Sequence, residues 1–401
     1  MMATARRRRH PGRTGECLAR RGKHFFSSRR FTPGGATGAI KAMKAFTCTA
    51  YPSRVVFGAG ALQHLVRELD LLGVGRALVL CTPGQAATAR RAADLLGDRS
   101  VGLFPRALMH VPIETAREAR EEALRLGADC VVALGGGSTV GLAKAIALES
   151  GLPILAVPTT CAGSEVTSIY GLTEGGVKKT GRDPRVLPRT VIYDPELTLT
   201  LPYGTTVAST FNAVAHAVEG LYAPDSNPLI DLMAEEGIRA SLAALPALQL
   251  DARDLGARGD ALYGAWLCGT VLGATTMGLH HKLCHTLGGS FNLPHAQTHA
   301  VILPHALAYN ARAAASALLR VGRALGVQGA ADALSSPRAL HELARRFGAP
   351  TSLAAIGMPA DGLDRAADLA AATPYPNPRP LDRAALRSLL QRAYDGGPPE
   401  A

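Results

Sequence analysis

The hydrophobic pattern of the chain changes character once, near Leu201. Before that point, short unbroken apolar runs alternate with amphipathic stretches. RALVLCT (Arg76 to Thr82), VGLF, DCVVAL (Asp129 to Leu134) and LPILAVPTT show no polar alternation, which is the pattern of strands covered on both faces of a parallel sheet. ATARRAADLL, ETAREAREEALRLG and TVGLAKAIALES fall between them with helical periodicity, and a further amphipathic helix spans Leu62 to Leu72. An extended run, TCTAYPSRVVFGAGAL, precedes these and is broken at Gly58-Ala59-Gly60. Strict alternation of this kind is the signature of a doubly wound α/β domain. Beyond Leu201 the strand-like runs stop, and Ala/Leu-rich helical stretches continue to the end, punctuated by Asn227-Pro228, Gly256 and PYPNPRP. The expected architecture is an α/β domain with a Rossmann-like parallel sheet over residues 43–200, followed by an all-helical domain over 201–397, without an internal repeat.

Within the first half, DCVVAL ends in Gly135-Gly136-Gly137-Ser138 immediately before a helix. Glycines let the backbone approach a phosphate closely, and the free amides and dipole of a helix start favour an anion. A glycine-rich turn is often only a tight turn, but between a buried strand and a helix it points to a dinucleotide pyrophosphate. A side chain at Gly136 is expected to clash with that phosphate and to oppose a positive φ. Lys144, two turns into the helix, is placed to reach the cofactor. After the next strand, the hydroxyls of Thr159, Thr160, Ser164 and Ser168 form either a nucleotide wall or an ordinary polar turn. RALVLC is followed by Thr82-Pro83-Gly84 with no carboxylate for an adenosine ribose, so nothing here enforces NADH over NADPH.

Charge sharpens the picture by its location. The 401 residues carry a net +11, but residues 1–42 alone hold eleven Lys and Arg against Glu16, leaving the remaining chain near neutral. A neutral body with a basic arm is not a nucleic-acid-binding fold. The arm is read as disordered or as an upstream extension of the reading frame that starts at Met43, and proteolytic trimming of it is expected to leave activity intact. No apolar run reaches membrane-spanning length, so a soluble cytoplasmic protein without membrane or nucleic-acid partners is expected. Seven scattered cysteines without a CxxC pair argue against a disulfide framework and against a structural zinc site, and Cys284 reads as a packing residue.

The histidines supply the candidate chemistry, since six of the twelve lie between Leu279 and His305. His281 and His285 stand four apart in an apolar run, so a helix would present both rings on one face. His295 follows a Pro, as if on a segment folded back, while Asn212 and His216 repeat the four-residue spacing upstream. A single histidine on an apolar helix face is ordinarily a hydrogen-bonded core residue. Five convergent polar groups point instead to a metal site or a proton-transfer site, and spacing is compatible with both.

With these segments in hand, the chain from about Lys44 to Ala393 resembles the iron-containing alcohol dehydrogenase superfamily, which shares its fold with glycerol dehydrogenase and dehydroquinate synthase. The resemblance is carried by ALGGGSTVGLAKAIAL, VPTTCAGSEVT, KKTGRDPRVLPRTVIYDP, FNAVAHAVE, PHAQTHAVILPH and YPNPRPLDRAALRSLL. Within the superfamily it is most similar to the maleylacetate reductases. It implies a nucleotide-binding α/β domain, a helical domain, a catalytic cleft between them and a homodimer. Metal-dependent members hold their ion through an Asp and three His, and these positions fall on Asn212, His216, His281 and His295. The first has lost its carboxylate. Gly141 stands in place of the acid of the GGGSxxDxAK pattern, and Ala296 and His299 replace the Gly and Asn of PHGxxN, changes that look like those of maleylacetate reductases. An Asn carbonyl offers a dipole where a dication needs an anion, so weak metal binding is expected, with no metal required. The resemblance thus implies NADH- or NADPH-dependent reduction of the alkene of maleylacetate, a keto dicarboxylate from aromatic breakdown, possible chlorinated forms included, to 3-oxoadipate. His216, His281, His285 and His295 would serve the enolate, and the basic run around Lys178 or the adjacent Lys282 would hold a carboxylate. Two rivals remain open at this point: a metal-dependent alcohol dehydrogenase that tolerates Asn212, distinguished by a stoichiometric ion, and a lyase like dehydroquinate synthase, distinguished by the absence of net NADH consumption.

Overall fold

In the computed structural model, residues 54–175, 177–327 and 332–401 are described. The basic arm and the start of the extended run lie outside them. The strands form where the apolar runs stand: β1 (Arg54–Phe57), β2 (Ala77–Leu80), β3 (Ser100–Phe104), β4 (Cys130–Gly135), β5 (Ile154–Pro158), β6 (Ile169–Glu174), β7 (Val177–Arg182) and β8 (Thr190–Tyr193). Six of them build one parallel sheet in the order β1-β8-β5-β4-β2-β3. Parallel neighbours require crossovers, which are supplied by α1 (Leu65–Leu72), α2 (Ala86–Leu96), α3 (Ile113–Arg125) and α4 (Gly137–Ser150). Side chains alternate across a strand, so Leu78, Leu80, Val131 and Ala133 face α3 and α4 while Ala77, Val79, Val132 and Leu134 face α1 and α2. This is why these strands read as continuous apolar runs: each face has its own helical cover.

The strand order reverses beside β2, which has β3 on one side and β4 on the other. Such a switch point leaves a crevice beyond the carboxyl ends of the two strands whose connections diverge, and the glycine turn after β4 lies there.

The second part is helical: α5 (Tyr203–Gly220), α6 (Pro228–Ala243), α7 (Leu245–Leu250), α8 (Leu255–Ala274), α9 (Leu279–Phe291), α10 (His295–Tyr309), α11 (Ala315–Ala324), α12 (Ser335–Phe347), α13 (Leu363–Ala371) and α14 (Arg383–Asp395). Every residue of α5 from Thr206 to Gly220 is buried, so this helix is a central post, and its polar Asn212, His216 and Glu219 are committed to the interior. Asn292 ends the α9 turn in the left-handed region at φ 54, and Pro294 restarts the chain as α10, folding His295 back toward His281.

One element departs from the sequence reading. The segment from Ile169 to Arg182, for which the apolar pattern predicts no strand, forms an antiparallel hairpin, β6 with β7. Its turn carries Gly175, and the alternation on β6 is too mixed to signal a strand. Arg182 explains the anchoring: its guanidinium donates to the carbonyls of Gly273 (2.6 Å), Thr275 (2.7 Å) and Leu272 (3.3 Å) at the end of α8.

Beside it, the loop after β5 touches α8 with no side chain between. Gly163 has φ 76, and a Cβ on Gly269 would stand 2.5 Å from the Gly163 carbonyl oxygen, so the two backbones meet directly.

Candidate active site

A cavity of about 1120 Å³ runs from the switch point into the helical part, walled by the starts of α4, α5 and α10, the β6–β7 hairpin and α9. Its first end is the glycine turn. Gly135 has φ 157, and a Cβ there would stand 2.7 Å from Gln85 Oε1. Gly136 is the N-cap of α4, with no side-chain cap, and the first-turn amides of Gly137 and Ser138 have no helical acceptor. Gly136 has φ −88, so a side chain there opposes no positive φ, and a Cβ would meet the Thr160 hydroxyl at 2.9 Å. The close packing is thus within the cradle itself. Gly136→Val is expected to raise the Kd for NADH roughly tenfold by pushing Thr160 and the cradle apart, with the fold retained. Fluorescence titration checks this, and unaltered affinity in a folded variant would place the phosphates elsewhere.

The four hydroxyls divide. Thr160 and Ser164 line the cavity. Thr159 is turned inward, accepting from Gln85 Nε2 at 2.5 Å, and Ser168 is buried off the cavity. Lys144 departs further from its expected role. Its ammonium is buried and donates to the carbonyls of Ser164 (2.7 Å), Thr167 (2.8 Å) and Ile169 (2.7 Å). With three donors already met by three carbonyls, none remains for a phosphate. Lys144 is a clamp on the loop after β5, and burial pushes its amine down to about 7, with Glu165 drawing it partly back.

At the other end Asn212, His216, His281, His285 and His295 all line the cavity. His285 is exposed at the mouth and His295 half-buried, whereas Asn212, His216 and His281 are buried. His216 and His281 lie with ring centroids 5.2 Å apart. Burial, reinforced by neighbouring imidazoles, pushes both well below the ordinary histidine range, so both are neutral. The Asn212 Oδ1, His216 Nδ1 and His281 Nε2 atoms are buried without a protein partner, as a wall awaiting a ligand would be.

Three residues outside the expected set complete this centre. Glu219, buried at the end of the same face of α5, has a carboxyl oxygen 2.5 Å from His281 Nδ1 and accepts the backbone amides of His280 (2.8 Å) and His281 (3.2 Å). His299 is fully buried with its ring 4.3 Å from that of His295, 5.0 Å from His281 and 4.8 Å from His280. His280 is held by the His299 carbonyl and is pushed down to about 3, mainly by burial. Spacing does carry a signal for Glu219, at i+3 from His216 and i+7 from Asn212; the i+4 step from His295 does the same for His299.

The family's ion-binding set is not assembled. Among the described residues the groups whose ligand atoms lie within 4.8 Å of one another are His216, His281 and His299; His280, Cys284 and His299; and Glu219, His280 and His281; none includes His295. That corrects the expectation that His216, His281 and His295 would be the ligands. The all-histidine trio has only neutral donors and Asn212 adds none of the missing charge, while the carboxyl of Glu219 is taken up by His281 Nδ1 and the amides of His280 and His281. These residues do not fit an iron(II) centre of the family's kind. The candidate carboxylate holders are corrected too. Lys282 points away, its ammonium on Thr373 Oγ1 at 3.1 Å, and Lys179 and Arg185 are ion-paired with Glu174 and Asp183. The side chain of Lys178 lies outside the described residues. Of the described side chains in the basic run, only Arg182 reaches the cavity wall.

Comparison with known proteins adds an independent line. Models of the iron-containing alcohol dehydrogenases match residues 52–195, and of the C-terminal part of the Fe-containing alcohol dehydrogenase family residues 206–394. A maleylacetate reductase of Burkholderia cepacia is 68% identical over 88% of this chain and 99% of its own length. One of Sphingobium indicum is 56% identical over 88% and 99% respectively. The crystal structure of a maleylacetate reductase from a Rhizobium strain superposes with a TM-score of 0.84 at 51% identity, covering 89% of this chain and 100% of that one.

Proposed function

The chain belongs to the iron-containing alcohol dehydrogenase family, and from that premise we infer that it is a maleylacetate reductase, reducing the alkene of maleylacetate to 3-oxoadipate with NADH or NADPH. The observation that carries this reading is a nucleotide cradle opening into a chamber of neutral buried donors and acceptors, with Asn212 where the metal-dependent members carry Asp. The glycine turn, the start of α4, Thr160 and Ser164 would hold the dinucleotide, which when bound supplies the hydride that adds to the alkene carbon beta to the ketone.

The task of the protein's own residues begins with the substrate's charge. The guanidinium of Arg182, fixed to the end of α8, keeps a positive charge on the wall for one carboxylate. The first-turn amides of α10, which starts at the uncapped Pro294, offer further neutral donors beside His295. As the hydride adds, negative charge develops on the ketone oxygen, and donors among the Asn212 and histidine group stabilise the enolate without reorganising. One proton, taken up from solvent and relayed by one of the cavity histidines, then passes to the alpha carbon, which closes the balance of one hydride and one proton per alkene reduced. No step requires a resident metal. A cytoplasmic homodimer belongs to the same reading, and sedimentation of the purified protein gives its mass.

The test is NADH oxidation with freshly prepared maleylacetate against a panel of simple aldehydes. Rapid consumption with maleylacetate and little with the aldehydes is the expected outcome. The reverse order would favour an alcohol dehydrogenase, and absence of net oxidation with either would overturn the reading.

A further inference from the structure

The hydrogen bonds around His281 decide which of its nitrogens carries the proton. Glu219 Oε2 lies 2.5 Å from Nδ1, but a buried carboxyl can give or take a proton there, so this contact alone leaves two arrangements. His280 removes the ambiguity. Its Nε2 lies 3.2 Å from the carbonyl oxygen of His299, an atom that only accepts, and 3.6 Å from Cys284 Sγ, a far weaker partner, so the carbonyl places the proton of His280 on Nε2 and leaves its Nδ1 a lone pair. That lone pair faces His281 Nδ1 at 3.3 Å. Two lone pairs would repel, whereas a proton on His281 Nδ1 satisfies both the carboxylate and His280. The same carboxylate takes the amides of His280 and His281 in the first turn of α9, tying the ring's orientation to the start of the helix that carries it.

We propose that Glu219 is a positioning residue for the reduction: with His280 it fixes the proton of His281 on Nδ1 and turns the Nε2 lone pair into the cavity. His281 therefore meets the reacting groups as a hydrogen-bond acceptor. Donation to the developing oxyanion falls to the other donors of the wall, the Asn212 amide among them, and His281 Nε2 serves to hold such a donor in place. The consequence for the reaction rests on the maleylacetate reductase reading; the tautomer does not.

Glu219→Gln keeps the shape but replaces one carboxylate oxygen by an NH2 group, which would give a proton to Nδ1 or abandon a backbone amide. The decisive measurement is a long-range ¹H–¹⁵N spectrum of histidine-labelled protein, with His281 assigned by its loss in His281→Gln. In the wild type, recorded without substrate, His281 should show the proton on Nδ1. In Glu219→Gln that signature should be lost, with kcat lowered about 10- to 100-fold, as for other groups that orient a site imidazole, and the KM for NADH unchanged. A wild-type His281 protonated on Nε2 would overturn the proposal even if the variant does not fold, and so would a folded variant whose kcat stays within about twofold of the wild type. A wild type inactive on maleylacetate would sink the functional reading and leave the spectrum to judge the tautomer by itself.

Discussion

Lys144→Met should lower stability by about 4 kcal/mol and loosen the nucleotide site with it. The ammonium is the common donor for the Ser164, Thr167 and Ile169 carbonyls, and Thr167 Oγ1 lies 3.0 Å from it as well. Methionine fills much of the volume but takes the shared donor from the Thr167 and Ile169 carbonyls, while the Ser164 carbonyl keeps the Thr167 amide and hydroxyl, and each such loss costs about 1–3 kcal/mol. Because the freed segment carries Ser164 and leads into the hairpin with Arg182, NADH affinity should fall as well. Urea unfolding with parallel NADH titration reads both, and a variant as stable as the wild type would refute the clamp. The pH dependence has a definite sign. The folded amine sits near 7 while the unfolded one keeps its ordinary 10.5, so between these values the unfolded chain holds the extra proton. Stability from this residue therefore rises with pH across that window, and Lys144→Met should flatten the slope.

How Lys144 is used illustrates what the sequence could and could not convey. The βαβ alternation, the glycine turn before α4 and the helical second part were legible because burial on both faces of a strand imposes continuous apolar runs. The five cavity residues Asn212, His216, His281, His285 and His295 were legible because helical spacing and one Pro restart determine which side chains share a face. Direction over longer distances was not. A lysine two turns into a helix can turn outward to a phosphate or inward to a loop, and only the position of the Ser164–Ile169 carbonyls selects the second. The β6–β7 hairpin is held by a guanidinium crossing to α8, a contact between residues about ninety positions apart that no local pattern encodes. Glu219 and His299 were overlooked for another reason: each continues a face already identified, yet an acid or a histidine one turn further is common without function.

Asn212→Asp is the second large expected effect: a fall in kcat of about a hundredfold, and no rescue by iron(II) or zinc. The amide is buried on the cavity wall beside His216 and His281, with its Oδ1 unpaired. At an effective dielectric near 20, a carboxylate within roughly 5 Å of a developing enolate would oppose it by about 3 kcal/mol or more, enough for that loss in rate. The substrate's own two carboxylates would add to the repulsion. The companion expectation is that wild-type activity survives a strong chelator, because the assembled trio of His216, His281 and His299 brings no anion to a dication. Steady-state kinetics of both proteins, before and after chelation and with metal analysis, decide the matter. Wild-type protein that loses activity on chelation and regains it with an added ion would refute the metal-independent mechanism, as would an Asp variant that gains activity with metal.

The meeting of Gly163 and Gly269 bears on how the cleft moves. Two backbones in contact, with no side chains between them to change rotamer, make a poor sliding surface, and Arg182 pins the hairpin to the same stretch of α8. Shear along this seam is disfavoured, so the cleft should open as a hinge whose axis lies there. The rim farthest from that axis then travels most. Admission of a dicarboxylate and release of its product would then depend on how far that rim swings, with the loop after β5 and α8 keeping their registration.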